Sequence, residues 1–219
     1  MLEDPIAIVL LLITGVVALI LSLLLLKKFM EQKRLYHLFW AISFLVLFVS
    51  GVLIILLGFE VLEEDLVPVV AASIPVCLAI GLYYVEWADK KYWLYYTIYS
   101  AVLIVLLTLA RTGIFLPDMK TMFLLLTHIP AGLSIVIIPL YTAFVSKSTE
   151  WTSVFFSIGG LLISIGGVLL AFLKVESLTP ILSQAEIFGI LPLLLLIVGV
   201  FFVLGIGLPS KWKVDIPFL

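Results

Sequence analysis

The strongest constraint on this chain is a recurrence: seven runs of about twenty apolar residues, each closed by charge or by turn residues. A hydrocarbon core about 30 Å thick takes roughly 20 helical residues to cross. Within lipid, backbone N–H and C=O groups must bond inside their own segment, so each run reads as a helix. The runs cover 5–26, 35–59, 66–85, 92–111, 121–145, 151–174 and 185–208. Only 12% of the 219 residues are charged and 64% are apolar, where a soluble domain has about 25% and 45–50%. The expected fold class is an all-α membrane protein. Residues 1–219 form one seven-transmembrane-helix bundle, multi-pass in the cell membrane.

Charge asymmetry predicts the orientation. Lys27, Lys28, Lys33, Arg34, Lys90, Lys91, Lys147, Lys211 and Lys213 fall at one end of the spans, and Arg111, Lys120 and Lys174 at the other. Short loops follow the positive-inside rule, which places the first group in the cytoplasm and, with seven spans, the N-terminus outside. Trp87, Trp93, Trp151, Trp212 and Tyr92 lie at the same basic boundaries, where amphipathic rings prefer to sit. The first span is not read as a signal peptide. Met1-Leu2-Glu3-Asp4 is acidic where a signal is basic, and the run that follows exceeds a 7–15-residue signal core.

Shifted by 116 positions, Phe39–Leu62 aligns on Phe155–Leu178 with nine of 24 pairs identical, including Gly51-Val52-Leu53 on Gly167-Val168-Leu169 and Glu60 on Glu176. One inserted residue later, Pro75 meets Pro192. This predicts parallel three-helix repeats, spans 1–3 and 5–7, joined by span 4. Such a 3+1+3 plan, N-terminus out and C-terminus in, resembles the SWEET and PQ-loop transporters. It also resembles the microbial rhodopsins and G-protein-coupled receptors, over the whole chain but in topology only. No Pro-Gln pair and no Asp-Arg-Tyr occurs, and the seventh span has no lysine to hold retinal, so no cofactor is expected. Tyr36-His37-Leu38-Phe39-Trp40 is similar to aromatic-rich segments in the seven-helix module of some bacterial sensor kinases.

Polar groups in hydrocarbon are costly unless they face another helix or water, so their spacing marks inward faces. In the fourth span Thr97, Ser100, Thr108 and Arg111 share a face; in the fifth, His128, Gly132, Pro139 and Thr142. Ser73, Cys77, Gly81 and Tyr84 do so in the third, His37, Trp40, Ser43 and Ser50 in the second. The sixth carries Ser157, Gly160, Ser164, Gly167 and Ala171, whose small-xxx-small pairs allow close helix approach. Arg111 either snorkels to the head groups or, over Thr108, lines a vestibule near Asp118, Lys120 and His128. His128 precedes Pro130, which frees a backbone carbonyl one turn earlier; the imidazole either bonds that carbonyl or lines a cavity. The candidate ligand-binding residues are therefore His128, Arg111, Thr108, Ser100, Thr97, Ser73, Cys77 and Ser134.

Enzyme chemistry is not expected. His37 and His128 are the only histidines, and they fall at opposite ends of the bilayer, so they cannot share a metal. The lone Cys77 excludes an intrachain disulfide, and Glu86 with Asp89 beside Lys90-Lys91 reads as a solvated helix end. A net charge of −2 argues against nucleic acid. Three readings stay open. The chain binds or transports a small neutral, apolar or lipid-like ligand; or it is a receptor-like sensor that signals, without retinal, to a separate cytoplasmic partner. Or it is a structural subunit of a larger membrane complex, docked through the small-residue face of span 6. Membrane lipids are partners in every case.

Overall fold

The computed structural model describes residues 4–145, 150–172 and 183–208, with side-chain detail for 170–172 and 184 excluded. Lys147, Lys174, Lys211, Trp212, Lys213 and the repeat match at Glu176 to Leu178 lie outside the described residues. Seven long helices follow: α1 Pro5–Gln32, α2 Leu35–Leu57, α3 Val67–Trp87, α4 Tyr92–Arg111, α5 Lys120–Leu140, α6 Val154–Phe172 and α7 Gln184–Gly207. Each is long and apolar enough to cross a membrane, so the chain is an integral membrane protein.

The ends of the helices follow from local chemistry. Asp4 caps α1 by accepting from the Ile6 N–H at 2.9 Å, with Pro5 at the first helical position. The helix runs one turn and more past the expected 26, through Lys27 and Lys28, because long cationic side chains keep their charge in water while the backbone stays helical. It stops at Lys33 in the left-handed conformation (φ 54°). Gly58, at φ 82°, ends α2 two residues before the expected limit, and a 3-10 turn, Phe59–Glu63, leads on toward α3. Leu140 is followed by a π-helical turn, Tyr141–Val145, that completes the fifth span. A capping box of Ser183 and Glu186 starts α7.

Six helices close a ring in the order α1, α2, α3, α5, α6, α7 and back to α1. The seventh, α4, packs outside it against α3 and α5. Large apolar side chains such as Leu12, Val49, Val105, Leu133 and Leu193 remain on the outside, as lipid tails are as apolar as leucine and give no reason to bury them.

What holds the ring together is close approach plus side-chain bonds to backbone carbonyls. Trp40 of α2 is wholly buried and donates Nε1–H to the Leu78 carbonyl of α3 at 3.0 Å. Its indole lies against Gly81, where any Cβ would strike it. One turn along, Ser43 donates to the Ile74 carbonyl at 3.0 Å. Ser22 ties α1 to the Ala41 carbonyl of α2 at 2.8 Å, and Ser157 ties α6 to the Val136 carbonyl of α5 at 2.9 Å. Across the middle, the Trp40 ring meets Phe156 of α6 at 5.3 Å, and Phe202 of α7 sits edge-on to Phe156 at 5.0 Å and to Phe44 at 5.8 Å. Aromatic packing therefore fills the ring's middle.

The small residues of α6 face inward. Gly160 abuts Ile135, a Cβ on Gly132 would meet Ser164 Oγ at 2.8 Å, and one on Gly167 would meet His128 Nε2 at 2.6 Å. This antiparallel match along α5 corrects the expectation that the same face serves as an outer docking surface. Its space is already taken by α5.

Candidate functional site

Three polar regions lie around the ring. The first is a seam where α3, α4 and α5 meet. Ser134 of α5 donates to the Pro130 carbonyl at 2.6 Å, and its oxygen lies 3.3 Å from Tyr83 Oη of α3, whose hydroxyl can donate to it. The Tyr83 ring packs on Tyr96 of α4 at 4.8 Å, and Tyr96 on Tyr99 at 6.0 Å. The Tyr96 hydroxyl and the buried Ser100 hydroxyl find no hydrogen-bond partner among the described residues. Tyr99 donates to the Leu126 carbonyl at 2.8 Å, the acceptor that Pro130 deprives of its usual N–H. A tyrosine from α4 thus satisfies the freed carbonyl that the sequence left to His128, whose imidazole is instead wedged against Gly167 of α6.

The second region is the acidic end. The Arg111 side chain is only 6% exposed and its Nη1 lies 4.0 Å from Asp65 Oδ1, in the turn before α3. The sequence placed Arg111 near Asp118, Lys120 and His128. Its ion-pair partner is Asp65, brought there by the packing of α3 on α4. Beneath it lies a small apolar cluster of Ala72, Leu103, Leu107, Ala110 and Phe123.

The third is the basic end, where Lys27 and Lys28 in the last turns of α1 and Lys33 and Arg34 on the α1–α2 turn lie with Lys90 and Lys91 on the α3–α4 turn. Here a cavity of about 260 Å³ is lined by Arg34, Tyr36, Tyr84, Val85 and Ala88. Its aromatic wall is continuous: the Tyr36 and Tyr84 rings are 6.1 Å apart, Tyr84 meets Trp93 edge-on at 5.2 Å, and Tyr36 meets Trp40 at 5.4 Å. Nearby, Asp89 is exposed as a solvated helix end should be, whereas Glu86 is half-buried.

The candidate residues chosen from the sequence do not converge on one site. Ser100 and Ser134 belong to the α3–α4–α5 seam, with Tyr83 and Tyr96 between them. Thr97 and Thr108 are half-buried and donate back to their own helix, to the Trp93 and Ile104 carbonyls at 2.7 Å. Ser73 does the same to Val70 at 2.6 Å, and Cys77 is a half-buried free thiol. Arg111 sits at the acidic end and His128 on the α5–α6 contact. The sequence reading missed Tyr83, Tyr96 and Tyr99 and the Arg34–Tyr84 cavity. Tyrosines near a basic boundary read there as interfacial anchors, although Tyr84 did fall on a predicted inward face. Among the described residues, no three histidine, cysteine or acidic side chains group as metal ligands. No protein family, curated protein or solved structure matches the chain.

Proposed function

We propose that this membrane protein binds a small lipid-like ligand at the basic end of its bundle, in the cavity between α2 and α3. The observation that carries this reading is the cavity itself, about 260 Å³ with walls of Tyr36, Tyr84, Val85 and Ala88. Binding pockets are concave and mostly apolar, with a few polar groups that orient the ligand. The middle of the bundle is instead packed with Trp40, Phe44, Phe156 and Phe202, at exposures of 0–1%.

The 3+1+3 plan belongs to the same proposal. The ring order pairs α1–α2–α3 with α5–α6–α7 and leaves α4 outside, as a linker helix would be. Trp40 and Phe156, 116 positions apart and equivalent under the repeat, meet at the centre. The basic residues at the cavity's end support the reading that this end faces the cytoplasm and the N-terminus the outside. A sensor that signals to a cytoplasmic protein is the second reading. The cavity supports it, because Arg34 on the basic α1–α2 turn forms part of the wall.

Native mass spectrometry of the protein, extracted gently with its own lipids, tests the proposal. One adduct at fixed stoichiometry is expected, lost in Ala88→Trp, which fills the cavity mouth. A bare chain, or an adduct that Ala88→Trp leaves in place, would overturn it.

A further inference from the structure

We infer that Arg111 and Asp65, at the acidic end, hold the headgroup of a phosphatidylethanolamine lipid, the guanidinium on its phosphate and the carboxylate on its ammonium. This is a second site, at the opposite end of the bundle from the cavity, and it does not depend on the ligand-binding reading of that cavity.

Arg111 is the last residue of α4, and its side chain is only 6% exposed. An arginine at the end of a span ordinarily reaches out until its charge is in water. The other described lysines and arginines are exposed, or half-buried in the case of Lys28. The Arg111 guanidinium is out of water and yet unbonded. Among the described residues it makes no hydrogen bond: Nε is buried without a partner, and Asp65 Oδ1, 4.0 Å from Nη1, stands beyond hydrogen-bonding distance. Two ordinary solutions are closed. The carbonyls of Thr108, Leu109 and Ala110, which a cation at a helix C-terminus can bond, accept instead from the N–H groups of Thr112, Gly113, Ile114 and Phe115. The side chains of the apolar cluster beneath, Leu107, Ala110 and Phe123 among them, offer no acceptor. A guanidinium has five N–H donors and keeps its charge, and a buried charge without bonded partners is costly. The donors therefore point to an oxyanion from outside the chain, and a phosphate takes two of them at once.

What surrounds Arg111 selects among phosphates. Asp65 is 69% exposed, and Glu64 beside it is exposed as well. These carboxylates repel a headgroup of net negative charge, whereas a headgroup that carries its own cation meets an opposite charge at both ends. A primary ammonium can donate hydrogen bonds to Asp65; the quaternary ammonium of choline has no N–H and is recognised by aromatic cages. The loop that follows Arg111 points to a lipid as the source. Ile114, Phe115 and Leu116 are 73%, 46% and 44% exposed in succession, an apolar tip at the end of a membrane span, and apolar residues exposed together mark a contact with membrane.

The test uses the full chain in nanodiscs of phosphatidylcholine with an equal part of phosphatidylethanolamine or of phosphatidylglycerol, with lipid retention after partial delipidation read by native mass spectrometry. Retention of one phosphatidylethanolamine, in preference to both other lipids, is expected. Arg111→Gln weakens that retention about tenfold or more, as loss of a charge-assisted bond does. Asp65→Asn, at an exposed position that leaves melting unchanged, weakens it several-fold and turns the preference toward phosphatidylglycerol, which loss of a purely structural ion pair would not do. Lys120→Gln, an equal charge loss at the same end, leaves retention unchanged. Equal losses in Arg111→Gln and Lys120→Gln would overturn the inference in favour of a diffuse surface effect. Full retention in Arg111→Gln, an unaltered preference in Asp65→Asn, or no preference for phosphatidylethanolamine in the wild type would overturn it too. If Arg111→Gln does not fold, Asp65→Asn decides alone. Ala88→Trp separates this site from the cavity: the lipid stays bound in that variant if it sits at Arg111. Its loss there would assign it to the cavity and end the inference, with the ligand-binding reading intact.

Discussion

The ring and the helix outside it are built from the same residue types and held by different means. In the ring, polar side chains reach across: Trp40 to Leu78, Ser43 to Ile74, Ser22 to Ala41, Ser157 to Val136. On α4, Thr97 and Thr108 turn back to carbonyls of their own helix, as does Thr112 just past its end; among the described residues the Ser100 and Tyr96 hydroxyls have no hydrogen-bond partner, and Tyr99 donates to another helix. Between helices in lipid, where burial of apolar surface does little, tight packing and crossing hydrogen bonds decide cohesion. The ring is therefore the stable unit, and α4 is the element most easily separated from it.

The largest effect is expected at the centre. Trp40→Ala removes the indole from a filled site and should cost about 3–5 kcal/mol, seen as a large fall in melting temperature in detergent. Gly81→Val should act in the same direction, because its Cβ strikes the Trp40 indole. Stability near wild type in either variant would contradict the picture of a packed centre. Next in size is the contrast in hydrogen exchange. Amides of α4 should exchange faster than those of α2 and α3, as low local cohesion allows local opening. Equal protection would merge the two regions into one.

Tyr99→Phe should cost about 1 kcal/mol, by leaving the Leu126 carbonyl unsatisfied, and should speed exchange along α4 selectively. The smallest difference is also the most diagnostic. Ser43→Ala should destabilise by about 0.6 kcal/mol, the average for a hydrogen bond between membrane helices. Ser100→Ala should be neutral or slightly stabilising, because its buried hydroxyl has no partner to lose. Matching losses in thermal melts of the two would show that Ser100 is tethered after all.

Much of the fold was legible in the chain. The seven spans were located to within a few residues, and the largest departure, the overrun of α1, came from lysines read as a boundary that long side chains do not impose. Predicted inner faces held where small residues and aromatics coincided: His37, Trp40 and Ser43 are all buried on α2, and Gly160 and Ser164 meet α5. The candidate site was less legible. Arg111 and His128 were singled out, yet the first pairs with Asp65 and the second packs on Gly167, residues distant in sequence that no spacing rule connects to them. The basic-end cavity joins Arg34 and Tyr36 to Tyr84, Val85 and Ala88 across two helices, and periodicity within one helix carries no information about such a pairing.

The amino-acid sequence alone determined that this is a membrane protein of seven helices, where those helices lie to within a few residues, and which of their faces are small or polar. Bilayer thickness and the need to satisfy every backbone group leave few alternatives. The tertiary structure decided which face meets which: the ring with α4 outside it, Tyr99 on the carbonyl freed by Pro130, Asp65 beside Arg111 and the cavity at Arg34. In water an apolar stripe announces the inside of a helix; here most faces are apolar, and partners are chosen by local shape and single hydrogen bonds.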